Sequence, residues 1–196
     1  MIAAGGSPRN TRLTASVSLA IFSIMPVYLF TFHGYRTWRP DNPRGYVRGV
    51  PGVLAPDPGM ARLYDSQAVQ QPVHFGPSHQ KVLLWILHGA CQRRKWRLHF
   101  VATENTHIHI LVSWREFTPW QEVGNRLKNL MSLMLGRKLA SPGRTWFSRK
   151  GSRKRVENQR HFDYLVKRYL PSHRGLHWRE GDLPPEEPLV KAGDRA

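Results

Sequence analysis

The stretch WRLHFVATENTHIHILVSW, residues 96–114, contains two runs rich in apolar, β-branched and aromatic residues, 96–103 and 107–114, joined by the polar link Glu104-Asn105-Thr106. A link of three residues between two such runs predicts an antiparallel β-hairpin. Residues two apart on a strand project from one face. Ile108, Ile110, Val112 and Trp114 therefore fill one side of the second strand, and His107 and His109 stand together on the other.

Upstream of the hairpin, residues 27–33 (VYLFTFH) suit a strand, and Trp38-Arg39-Pro40 opens a loop. Residues 40–60 carry five Pro and several Gly, so no regular element is expected there, and 39–72 reads as a loop insertion. A helix is expected from about Ser78 to the basic Arg93-Arg94-Lys95, with Val82, Leu83, Ile86 and Ala90 at helical spacing. Downstream, Thr118 and Gln121 form a capping box around Pro119 at the first helical position, and Val123, Leu127, Leu130, Met131 and Met134 make one apolar face. Ser141-Pro142-Gly143 ends that helix. Residues 145–156 (TWFSRKGSRKRV) read as a second hairpin turning at Lys150-Gly151-Ser152. A last helix runs from about Asn158 to Leu170, with Phe162, Leu165, Val166 and Tyr169 on one face. The order is strand, helix, strand, strand, helix, strand, helix. It predicts an α+β fold, a ferredoxin-like βαββαβ sheet with helices on one face and a C-terminal tyrosine-bearing helix.

The 196 residues carry 30 Lys+Arg against 13 Asp+Glu, a net charge of +17, and 40% of them are apolar. That is enough apolar material for one core. The charge points to a polyanionic partner, nucleic acid first. The single Cys91 excludes a disulfide framework and every multi-cysteine zinc motif, and it fits a reduced, cytoplasmic compartment. Against this, Arg9 and Arg12 precede the apolar run at 13–24, which has the shape of a signal peptide; taken on to 32, it is long enough to suggest membrane insertion or export. Pro26 interrupts the run. Residues 1–24 are read as an extension outside the fold, with Met25 opening the domain. Residues 179–196, with three Pro and five carboxylates, are expected to be a mobile tail.

Two imidazoles side by side on an apolar strand can hold one cation. A catalytic ion with open positions for phosphate oxygens needs a third protein ligand, and the pair itself supplies none; Glu104 is the closest carboxylate in sequence. His99, on the neighbouring strand, is read as structural. A two-histidine phosphoesterase working by general acid and base would need a second His-x-Thr or His-x-His motif, and the chain has none.

YLFTFHGYRTW (28–38), WRLHFVATENTHIHILVSW (96–114), WFSRKGSRKRV (146–156) and HFDYLVKRYLPSHRG (161–175) together resemble the single-tyrosine HUH transposases, particularly the REP-associated tyrosine transposase branch. THIHILV fits the histidine–hydrophobic–histidine pattern that names the superfamily. The resemblance spans residues 25–178, which it implies are a catalytic domain. It also implies Mg²⁺ or Mn²⁺ bound by His107, His109 and a polar residue four positions after a nucleophilic tyrosine. The implied reaction is cleavage and rejoining of single-stranded or hairpin DNA through a 5′-phosphotyrosine link, without a small-molecule cofactor or a membrane. A homodimer is compatible with it. The rival reading is a non-catalytic nucleic-acid-binding protein on the same fold.

Two tyrosines compete for the nucleophile. Tyr164 and Tyr169 lie five residues apart, about 140° around an α-helix, so they are expected to face different ways. Tyr169 has His173 four residues on as third ligand, where Tyr164 has Arg168. The run RHFDYL around Tyr164 matches the surroundings of the family nucleophile equally, and Pro171 interrupts the helix between Tyr169 and His173. Tyr169 with His173 is the preferred nucleophile and ligand, and Tyr164 is kept open. Arg144, Arg149, Lys150, Arg153, Lys154 and Arg155, interleaved with Trp146 and Phe147, are read as a surface that tracks phosphates and stacks bases, with Arg126, Lys128, Arg137 and Lys138 as an extension; Arg36, on the basic edge that Arg39, Arg44 and Arg48 give the insertion, is read as nucleic-acid-binding too.

Overall fold

A computed structural model describes residues 25–46, 52–115 and 117–189. The apolar run at 13–24 lies outside the described residues. Five strands form one sheet: β1 (Val27–His33), β2 (Arg97–Thr103), β3 (His107–Ser113), β4 (Ser152–Arg155) and β5 (His177–Arg179), in the order β4-β1-β3-β2-β5. Every pairing is antiparallel. The first four strands have the ferredoxin-like order, and β5 is added at the β2 edge. Among the described residues no helix is long and apolar enough to cross a membrane.

The central strands are almost continuously buried because the sheet is covered on both faces. Helices α2 (Pro77–Arg93) and α3 (Trp120–Lys138) cover one face. Val82, Leu83, Leu87, Val123, Leu127 and Met131 pack there on Phe30, Phe32, Ile108, Ile110 and Val112. The opposite face carries Val27, Leu29, Phe100, Ala102 and Leu111, covered by Leu165 and Leu170 of the tyrosine helix. That helix begins as α4 (Gln159–Tyr164), capped by Asn158.

Four local expectations need correction. The insertion does contain a helix, α1 (Pro58–Ser66): the Asp57 carboxylate accepts from Met60 N at 2.8 Å and Pro58 occupies the first turn, a start signal within a Pro-rich run. The capping box at Thr118 does not form, because Pro119 (φ −58°, ψ 141°) is itself the N-cap and the helix starts at Trp120, one residue too late for the Thr118 hydroxyl. Residues 145–156 are not a hairpin. Both halves pair with β1 and its continuation instead, through the Gly34–Phe147 bridge, Tyr35 N to Trp146 O at 3.0 Å, and the β1–β4 ladder. The free edge of β1 satisfies more backbone groups than a self-paired turn would. Gly151 lies where the run bends, and an added Cβ would sit 2.7 Å from the Phe32 ring and 2.9 Å from Thr31 O. Finally, the last helix does not stay α-helical. Residues 165–169 form a π turn closed by Leu170 N to Leu165 O, followed by a 3₁₀ turn at 170–172. Pro171 has no N–H for the carbonyl of Lys167, and its ring crowds that carbonyl, so the helix widens ahead of it.

The segment expected as a tail starts with fixed contacts. Arg97 Nε donates to Glu180 Oε1 at 2.6 Å, Trp178 Nε1 donates to Leu183 O at 3.1 Å, and Lys138 pairs with Glu187.

Candidate active site

The register of the sheet assembles a histidine cluster at one end of β1 and β3. His109 lies opposite Thr31, and His107 opposite His33. His109 is buried and His107 half-buried, their rings 4.7 Å apart. After the 3₁₀ turn, His173 enters from the other side, its ring 4.4 Å from that of His109 and 5.7 Å from that of His107. The ligand-capable nitrogens of the three lie within 4.8 Å of one another. The loop carrying His173 is pinned: Arg174 N donates to Glu104 Oε1 at 2.6 Å, and Leu176 N donates to the buried Gln80 at 2.9 Å. Gly175 is needed there, since a Cβ would meet Thr103 O at 2.1 Å.

Each ring is held through Nδ1. Thr31 Oγ1 lies 2.7 Å from His109 Nδ1, Thr106 Oγ1 2.9 Å from His107 Nδ1, and Leu170 O 3.1 Å from His173 Nδ1. A carbonyl only accepts, so His173 Nδ1 carries the hydrogen and, in the neutral ring, Nε2 has a free lone pair. Burial lowers His107 to about 4, with His33 and His173 adding like-charge repulsion. Burial, then His107, His173 and His33, lowers His109 to about 2. Both are therefore neutral at pH 7, the form that ligates a metal.

Tyr169 faces this cluster. Its hydroxyl lies 3.5 Å from His109 Nε2, and its ring 5.0 Å from that of His173. Burial raises its pKa, as does a charge on Tyr164, while Arg44 opposes the shift. The phenol is therefore protonated at neutral pH. Tyr164 does not face away as α-helical spacing predicted. The π turn rotates position i+5 back over position i, and the two tyrosine rings lie 6.4 Å apart at 24°.

His33 was missed by sequence reasoning: its ring is 5.2 Å from that of His107 and 4.9 Å from Trp38. A histidine closing β1, in a topology that places β1 beside β3, was the available signal. The basic run does not form one surface. Alternation along β4 places Lys154 with Leu29 on the tyrosine face, while Arg153 lies over the Trp120 ring at 4.0 Å on the α3 face and Arg155 pairs opposite Tyr28. Arg149 and Lys150 are exposed. Trp146 is only 2% exposed, because pairing with β1 draws it inward, so its ring offers no surface to a base; Arg144 lies 5.5 Å over it. Arg36 is committed to Asp65 and, at 3.3 Å, to Gln70 O, holding the insertion in place. Arg126 pairs with Glu122.

Three imidazoles without a carboxylate suit borderline divalent ions such as Zn²⁺ best; Mn²⁺ prefers oxygen and would need water and phosphate to complete its shell. Mg²⁺, which takes oxygen ligands, would depend there on water and phosphate. The residues can hold Mn²⁺ or Mg²⁺ only together with oxygen donors from water and a phosphate.

The fold and site together define an antiparallel α+β domain with a three-histidine cluster facing a tyrosine on a helix. No family model and no curated protein matches the chain. Among solved structures it is similar to one titled "Structure of the REP associates tyrosine transposase bound to a REP hairpin", at 7% identity and a TM-score of 0.39, over 74% of this chain and 64% of that one. The chain thus spans just under two thirds of that protein's length.

Proposed function

We propose that this protein cleaves and rejoins single-stranded or hairpin DNA as a single-tyrosine transposase does, with Tyr169 as nucleophile and a divalent cation, Mn²⁺ or Mg²⁺, at His107, His109 and His173. The observation that carries the reading is the Tyr169 hydroxyl, 3.5 Å from His109 Nε2 beside three converging imidazoles. When bound, the ion supplies Lewis acidity toward a phosphate and its leaving oxygen. The chain's own groups do the rest. Tyr169 Oη bonds to phosphorus as the bond to the 3′ oxygen breaks, leaving a 5′-phosphotyrosine and a free 3′-OH that can later reverse the step. Thr31, Thr106 and the Leu170 carbonyl fix the imidazoles, so the site is ordered before DNA arrives. The net charge of +17 supports the nucleic-acid partner. A cytoplasmic location and association as a homodimer belong to the same reading.

The test is incubation with labelled hairpin DNA and Mn²⁺, followed by denaturation. The parent and Tyr164→Phe should retain a covalent adduct, and Tyr169→Phe should not. His107→Ala and His109→Ala should lose cleavage yet keep salt-sensitive binding. An adduct on Tyr169→Phe but not on Tyr164→Phe would move the nucleophile to Tyr164. Binding with no adduct in any form would favour the non-catalytic nucleic-acid-binding protein.

A further inference from the structure

The π turn has a second consequence beside the histidines. Tyr164 is 56% exposed, although its ring lies 6.4 Å from that of Tyr169 at 24°. Between this pair and β4 lies a cavity of about 320 Å³ lined by Ser152, Lys154, His161, Tyr164 and Tyr169 over an apolar floor that includes Leu165. The volume falls at the lower end of the range of about 300–1,000 Å³ for small-ligand sites. It has room for one nucleotide and none for a duplex. The helix side offers an aromatic ring and the His161 imidazole, and the β4 side an ammonium and a hydroxyl. That pairing suits an unpaired nucleotide, whose base needs a flat apolar partner and whose phosphate needs a cation.

We propose that this cavity takes the nucleotide next to the phosphate attacked by Tyr169, with its base stacked on Tyr164 and its phosphate on Lys154. Tyr164 is then a binding residue, and the unpaired state of that nucleotide is a condition of entry, because a base stacked within a duplex cannot reach the ring. The proposal rests on the reading of Tyr169 as nucleophile.

The test uses the full chain in a metal chelator, so that cleavage does not proceed, titrated into single-stranded oligonucleotides that each carry one 2-aminopurine at a successive position. Fluorescence should be quenched at one position. Tyr164→Ala should remove that quenching and weaken binding about 10-fold, within the range for losing one base–aromatic stack. Tyr164→Phe, which keeps the ring, should restore both. Lys154→Ala should reduce the salt slope of binding by about 1. Tyr164→Ala matching the parent in quenching and affinity would overturn the proposal, as would a parent that fails to bind single strands. Tyr164-dependent quenching at one position with no adduct under Mn²⁺ would overturn the strand-cleavage reading and with it the placement beside an attacked phosphate, leaving only a nucleotide-stacking site on Tyr164. An adduct with quenching indifferent to Tyr164 would do the reverse.

Discussion

Thr31→Val isolates the orientation of His109 from its identity. Thr31 is 7% exposed on β1, directly opposite His109, with Oγ1 2.7 Å from Nδ1. Valine keeps the branched shape and suits a strand, so the backbone should stay in place. What is lost is the partner of a buried ring nitrogen. Leaving such a group unsatisfied costs about 1–3 kcal/mol, which is about 5- to 150-fold in an equilibrium constant. Removing the outer partner of a metal-ligating histidine typically weakens metal binding by about 10- to 100-fold. The first cost falls on folding stability, common to the free and metal-bound forms; Mn²⁺ affinity measured by calorimetry or by the free-ion EPR signal should fall by the second amount, about 10- to 100-fold. A Thr31→Val protein that binds Mn²⁺ within about twofold of the parent, while His109→Ala has lost it, would show that the hydroxyl does not orient the ring and refute this reasoning.

Further outcomes follow from the packing. Gly151→Ala places a Cβ 2.7 Å from the Phe32 ring and 2.9 Å from a backbone oxygen; urea unfolding should show a loss of about 1–3 kcal/mol, and wild-type stability would mean that the bend is not tight. Burial pushes the Cys91 thiol up to about 12, so a thiol reagent at pH 8 should react only after denaturation, whereas fast labelling of the native chain would contradict the burial of α2. Burial alone would raise the Glu180 carboxyl, but hydrogen bonds from His99 and Arg97 outweigh it and hold the group below its ordinary 4.5. A depressed carboxyl stabilises above its unfolded pKa and loses that contribution as pH falls through the folded value. The melting-temperature gap between the parent and Glu180→Gln should therefore close on acidification below about 4.5, and a gap constant with pH would assign the contact to packing.

Much of the fold was legible because periodicity reports burial. Ile108, Ile110 and Val112 alternate with His107 and His109, and this fixed both the strand and its two faces before any pairing was known. The α3 face was legible for the same reason. The insertion helix was not: its signal is one short Asp57-Pro58 start within a Pro-rich run, and its apolar spacing, Met60, Leu63 and Tyr64, spans little more than one turn. The second hairpin was misread because a turn signal at Lys150-Gly151-Ser152 says where a chain bends, not which strand it joins. The open edge of β1 decided that, and with it the burial of Trp146.

The site shows the same division between local and long-range information. His107 and His109 share a face by strand geometry alone, and the cluster needed only His173 to be carried back to them. The chain brings it back through an irregularity. On a continuous α-helix, Tyr164 and Tyr169 would diverge by about 140°, and His173 would continue along the same axis. Pro171 prevents that course, and the widened turn ahead of it aligns the two rings while the 3₁₀ turn after it leads His173 to within 4.4 Å of His109. A proline that looked like an obstacle to the tyrosine–ligand spacing is thus the residue that lets both groups reach one point. Replacing it to extend the helix would move Tyr164 off Tyr169 and His173 away from the histidine pair together.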